Sequence, residues 1–181
     1  MAKRTLLVFV AAACVVALGP APTVSASASM AALGDSEYHI AFEDSGSRMI
    51  PWNSSMKRTV IRVWPDDRAG MEWAVSHVGS GGGKSVFEIR NLRSQLCLQP
   101  WDGETKVGQR IEQAECDGER RQQWHITHVG GPAFQIIPLD NTYLAITPEV
   151  PSASGSFLRL GYRNPIDPDY SWDFRPMVEA F

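Results

Sequence analysis

The sequence lacks an apolar run long enough to span a bilayer with ease. Its single candidate, Leu6 to Leu18, falls short of the about 20 residues that a crossing helix needs. Beyond that run no window sustains an apolar period of 3.6 residues, which predicts little helix. No Gly-x-Ser-x-Gly elbow is present to activate a serine. Gly79-Ser80-Gly81-Gly82-Gly83-Lys84-Ser85 approaches a phosphate loop, but the spacing requires glycine where Val78 stands. The strand-like stretch Val86 to Arg90 then follows where such a loop needs a helix N-terminus. Asp66-Asp67 sits beside Pro65 in a turn, where a pair of carboxylates is solvated. His77 and His128 fall at the same point of an internal repeat, and symmetric placement assigns them to the scaffold. No convergent catalytic set is left, so the chain is expected to be non-enzymatic, with no cofactor and no metal.

What is present begins with a leader. Lys3 and Arg4 precede the apolar run, Gly19, Pro20 and Pro22 end it, and the small residues Val24-Ser25-Ala26-Ser27-Ala28 follow. That order is expected of a secretory signal peptide over residues 1–28, cut after Ala26 or Ala28, and implies a secreted, extracellular protein. Cys14 lies inside the run, whereas a lipid-bearing cysteine should close it. Removing the leader takes away Lys3 and Arg4 and no acid, leaving 15 basic against 20 acidic residues. A mildly acidic surface argues against nucleic acid or anionic membrane as a partner. The mature chain keeps two cysteines, Cys97 and Cys116, which in an exported protein are more often bridged than free.

The rest of the chain repeats. Aligned on Trp73, Trp124 and Trp172, the segments Trp73-Ala74-Val75-Ser76-His77-Val78 and Trp124-His125-Ile126-Thr127-His128-Val129 agree in kind, and Trp172-Asp173-Phe174-Arg175-Pro176-Met177 is a looser third copy. Upstream of each tryptophan lies a short alternating pattern: Ile61-Arg62-Val63, Ile111-Glu112-Gln113 and Leu158-Arg159-Leu160. Further upstream each repeat opens with His39 to Phe42, Val86 to Arg90 or Phe134 to Ile137. These segments are short, rich in β-branched and aromatic residues, and bounded by turn formers. Ser80-Gly81-Gly82-Gly83 and Gly130-Gly131-Pro132 separate the repeats. The expectation is an all-β domain over 35–181, with repeats of about 36–81, 82–130 and 131–181. Each repeat supplies four strands, and since none could bury its apolar face alone the three share one core.

The middle repeat resembles one subdomain of the ricin-B-type β-trefoil lectins, the Gln-x-Trp family. The resemblance rests on Asn91-Leu92-Arg93-Ser94-Gln95-Leu96-Cys97-Leu98, on Gly108-Gln109-Arg110-Ile111-Glu112-Gln113-Ala114-Glu115-Cys116, and on Gln122-Gln123-Trp124. It is sharp over Val86 to Val129 and rests on periodicity alone in the flanking repeats. It implies a β-trefoil, six strands closing a barrel and six capping it, and a Cys97–Cys116 bridge. Such a loop contributes roughly 3 kcal/mol on the chain-entropy view. It also implies that Trp73, Trp124 and Trp172 are core residues, and that the protein binds carbohydrate.

In that family a carboxylate two residues after the first cysteine does much of the polar work, and an aromatic near the second cysteine stacks on the sugar. The matching positions here are Gln99, Pro51 and Thr147 for the carboxylate, and Ala114, Trp64 and Gly161 for the aromatic. The Gln of Gln-x-Trp survives as Gln122, with Met71 and Tyr170 in its place elsewhere. The usual pocket is thus eroded in every repeat. Replacements are available in Trp101-Asp102-Gly103 and in Tyr162 with Asn164. Trp64, Trp101, Asp102 and Gln122 are therefore the candidate carbohydrate-binding residues. Glycans or glycoconjugates are the expected partners. The alternative is a trefoil adaptor for a protein, either a toxin binding subunit or a secreted inhibitor.

Overall fold

The computed structural model describes residue 33 and residues 36–177 except 152 and 165, so the leader and Cys14 lie outside the described residues. Among them no helix is long and apolar enough to cross a membrane. Among the described residues twelve strands follow one another, four per repeat. In the first repeat they are β1 (Ser36–Phe42), β2 (Arg48–Pro51), β3 (Thr59–Trp64) and β4 (Glu72–Gly81). The second has β5 (Lys84–Asn91), β6 (Cys97–Pro100), β7 (Ile111–Ala114) and β8 (Gln123–Gly130). The third has β9 (Ala133–Pro138), β10 (Leu144–Pro148), β11 (Leu158–Tyr162) and β12 (Trp172–Pro176).

Six of these close on themselves in the order β1, β4, β5, β8, β9, β12, with β12 paired back to β1. The hairpins β2–β3, β6–β7 and β10–β11 cap that barrel. This is a β-trefoil. The glycine-rich stretch that approaches a phosphate loop is instead the β4–β5 turn, with Gly82 and Gly83 at φ of 58° and 75°. A tight hairpin needs positive φ at both central positions, which glycine supplies without strain.

The three tryptophans used to align the repeats are fully buried in one shared core. Each indole N–H donates to a backbone carbonyl of its own repeat's cap: Trp73 to Met49 at 2.8 Å, Trp124 to Leu98 at 3.2 Å and Trp172 to Ile146 at 3.0 Å. A large apolar ring thus fills the barrel while its one polar atom is satisfied. Cys97 in β6 is bridged to Cys116, with 5.0 Å between their Cα atoms. His77 and His128 also repeat, each meeting a phenylalanine ring, Phe87 or Phe134, in a T-shaped contact.

Candidate functional site

The cap hairpin of the second repeat carries a chain of buried polar groups. Alternation within β7 predicts an outward Glu112, yet all four residues of that short strand are buried, because β3 and β6 flank it. A buried carboxylate must be compensated. Arg58 donates to both oxygens of Glu112 at 2.7 and 2.8 Å, and the Gln99 amide and the Asp102 backbone N–H add bonds at 2.8 and 3.1 Å. Gln122 is also fully buried. Its amide donates to the Gln99 side-chain oxygen at 3.0 Å and to the Glu115 carbonyl at 2.7 Å, and its own oxygen accepts from the Asp117 N–H at 2.9 Å.

Two of the four candidate residues therefore join one network, Asp102 through Arg58 and Gln122 through Gln99. Arg58 pairs with Asp102 as well as Glu112, and both bonds hold its guanidinium above its ordinary range.

Above the Gln99 end of this network lies an open cavity of about 520 Å³. Met56, Lys57, Ala114, Glu115, Asp117 and Arg121 surround it. Gln99 and Ala114, the positions where the resemblance places a carboxylate and an aromatic, both line it. Arg121 is ion-paired with Asp117. It also lies where a Cβ on Gly103 would stand, 2.5 Å from the Arg121 Cδ, so that glycine admits the long side chain. The sequence reasoning missed Lys57, Arg58, Asp117 and Arg121. Only Asp117 and Arg121 carried a signal, their position between the second cysteine and Gln-x-Trp.

Trp101 belongs to a different hollow. It ends β6 in a single 3-10 turn, Trp101–Gly103, and is 39% exposed. Arg58 lies over its ring at 5.5 Å, and a cavity of about 300 Å³ opens between it and Val60, Gly108, Gln109 and Arg110.

In the first repeat the register sets Pro51 level with Pro100 and Pro148, so the residue that matches Gln99 and Thr147 is Ile50, one place before the Pro51 expected from the sequence. The other two repeats are occupied by their own side chains. In the first, Trp64 has the Arg68 guanidinium 4.1 Å from its ring centroid, and Trp52 stacks on it at 6.3 Å with 21° between the planes. Trp64 lines neither of these two cavities. Asp66 and Asp67, exposed as a turn predicts, pair with Arg68 and Arg48. In the third, Tyr170 packs on Gly161, where a Cβ would stand 2.8 Å from the tyrosine oxygen and 3.0 Å from Thr147 Cγ2. Thr147 itself is buried and donates to the Asp169 carbonyl at 2.5 Å. Tyr162 is 70% exposed on the same hairpin, near Asn164, whose carbonyl accepts from Gln135. Among the described residues the one metal-like grouping, Glu88 with Cys97 and Cys116, has both sulfurs committed to the bridge.

Residues 69–156 match the family model described as ricin-type beta-trefoil lectin domain-like. No curated protein matches the sequence at a significant level. Among solved structures, a designed threefold-symmetric protein, ThreeFoil, superposes with a TM-score of 0.69 at 16% identity, over 78% of this chain and 99% of that one. An exo-beta-1,3-galactanase from Clostridium thermocellum gives 0.70 at 19%, over 78% of this chain but 30% of the larger enzyme. The Macrolepiota procera ricin B-like lectin, solved in complex with lactose, gives 0.62 at 18%, over 78% and 96%.

Proposed function

We propose that this chain, whose domain is of the ricin-B-type β-trefoil kind, is a secreted, non-enzymatic carbohydrate-binding protein. The observation that carries the reading is the repeat-two cavity, open at the position where the resemblance expects a sugar while the other two positions are filled from within. Asp117 and Arg121 offer an acceptor and donors for sugar hydroxyls. Met56 and Ala114 offer a modest apolar contact, and the network through Gln122 and Gln99 fixes the floor. Asp102 takes part by orienting Arg58, and Trp101, on the far side of that arginine, faces the separate hollow instead. Trp64 would contribute only after Arg68 swings off its ring.

No aromatic lines the repeat-two cavity, so a single sugar gains little against the entropy of being fixed. Affinity should be millimolar, about −4 kcal/mol, with useful strength coming from multivalent display. Lactose, the ligand named for the Macrolepiota lectin, is a suitable first probe. Titration of lactose and a neutral glycan panel against wild type, Asp117→Ala and Arg121→Ala tests the reading. Weak binding that both substitutions abolish is expected. Binding untouched by either, or none to any neutral glycan, would overturn it in favour of a protein partner.

A further inference from the structure

The three cap hairpins meet in a cycle. Val60, Arg110 and Phe157 each precede the residue that pairs with the proline ending the neighbouring strand: Ile61 with Pro51, Ile111 with Pro100 and Leu158 with Pro148. Each then faces the next repeat, Val60 opposite Glu112, Arg110 opposite Arg159 and Phe157 opposite Arg62. The pseudo-threefold axis thus gathers a valine, an arginine and a phenylalanine at one place. The cavity of about 300 Å³ under Trp101 opens there, lined by Val60 and Arg110.

This place is cationic in a chain whose formal charge is −3. The Arg62 and Arg110 guanidinium carbons lie 3.6 and 3.8 Å from the Phe157 centroid, a spacing that puts one on each face of the ring. Arg159 is the bridge partner of Arg110. The nearby acids balance them only in part. Glu112 and Asp102 are taken by Arg58, and Glu149 approaches Arg110 only to 4.0 Å. Burial, and then repulsion from Arg110, holds Arg62 below the usual guanidinium range. Its guanidinium is enclosed between Trp52 and Phe157 and donates to the Gly155 carbonyl at 3.0 Å, while its Nε is buried without a hydrogen-bond partner, so Arg110 is the arginine that lines the cavity.

We propose that this hollow is a second ligand site and takes an anionic saccharide, whose ring lies on the exposed face of Trp101 while its carboxylate or sulfate is bound by Arg110. A pyranose presents a flat CH face suited to an indole, and an arginine fork suits a planar carboxylate or a sulfate. A neutral sugar would leave the arginine charge unanswered, and a simple acid would make no use of the indole. The volume is at the lower end of ligand sites, roughly 300–1,000 Å³, enough for a short unit of a longer chain.

Titrating methyl glucuronide, methyl glucoside, a sulfated monosaccharide, inorganic sulfate and a glutamate-rich peptide at low salt tests it, on wild type, Arg110→Gln, Arg110→Lys and Trp101→Ala. Melting curves first establish that each variant folds. The glucuronide or the sulfated sugar should bind about tenfold more tightly than the glucoside, with the preference falling as salt rises. Arg110→Gln should erase that preference, Arg110→Lys should keep part of it, and Trp101→Ala should weaken the sugar but not inorganic sulfate. Equal binding of glucuronide, sulfated sugar and glucoside would overturn the proposal, as would sulfate or the peptide matching the acidic sugars, or retention of the preference in Arg110→Gln. The lactose test concerns the other cavity. Its failure would leave this site standing, and failure here would leave the lactose reading intact.

Discussion

Two tryptophans in the same repeat meet different fates. Trp124 is fully buried and its N–H is satisfied, whereas Trp101 rests on a surface turn. Trp124→Ala should therefore cost about 3–5 kcal/mol of stability. Trp101→Ala should cost about 0.5 kcal/mol or less. Chemical denaturation of both variants decides the matter, and equal losses would contradict the assignment. Gly161 poses the reverse problem, because it has no room. Gly161→Ala drives a methyl to 2.8 Å from the Tyr170 oxygen, and overpacking of that kind costs about 1–3 kcal/mol. In a Tyr170→Ala background the same substitution should cost markedly less. Simple additivity in the double-mutant cycle would show that Tyr170 does not fill this position.

At the scale of elements, the β6–β7 hairpin is held by a covalent tie at one end and an ionic one at the other. Cys97→Ser removes the first and should lower stability by about 2–5 kcal/mol. Arg58→Ala leaves the Glu112 carboxylate buried with two neutral donors only. Because the arginine side chain is 52% exposed, water can replace part of it, so the loss should lie near the lower end of the buried-pair range, about 3 kcal/mol. Denaturant titration checks both. A loss under about 1 kcal/mol for Arg58→Ala would place this pair among ordinary surface bridges.

The short 3-10 turn before β12 carries a carboxylate whose charged form burial disfavours. Asp169 is pushed above the ordinary carboxylate range by burial and then by Asp167 and Asp44. The folded state thus holds this proton more tightly than the unfolded chain. Its ionisation costs stability above the folded pKa, and that cost vanishes below the unfolded value of about 3.9. Asp169→Asn should accordingly raise Tm at pH 7 and bring no gain near pH 3. A fall in Tm at pH 7 would contradict it.

For the molecule as a whole, the threefold plan was legible because a trefoil writes itself into the chain three times. One indole per repeat fills the barrel, and the strands and turns recur at nearly the same offset from it. Which residues stand at the positions named by the resemblance was legible too, since Gln99, Ala114 and Gly161 can be read directly. What packs around them was not. Local alternation puts Glu112 outside, and the cation that compensates its buried carboxylate is the distant Arg58, in the first repeat. Arg68 over Trp64 and Tyr170 against Gly161 depend on side-chain directions that no spacing in the sequence reveals. The axial cluster of Arg62, Arg110 and Phe157 joins residues from three repeats, so it exists only once the cap has closed.

The most direct measurement is a lactose titration of the protein followed by amide chemical shifts. Binding at the repeat-two cavity predicts saturable shifts, at millimolar sugar, centred on Ala114, Asp117 and Arg121 and fading toward Trp64 and Gly161. Shifts centred on the first or third repeat, or none at any concentration of lactose or of other neutral glycans, would contradict it.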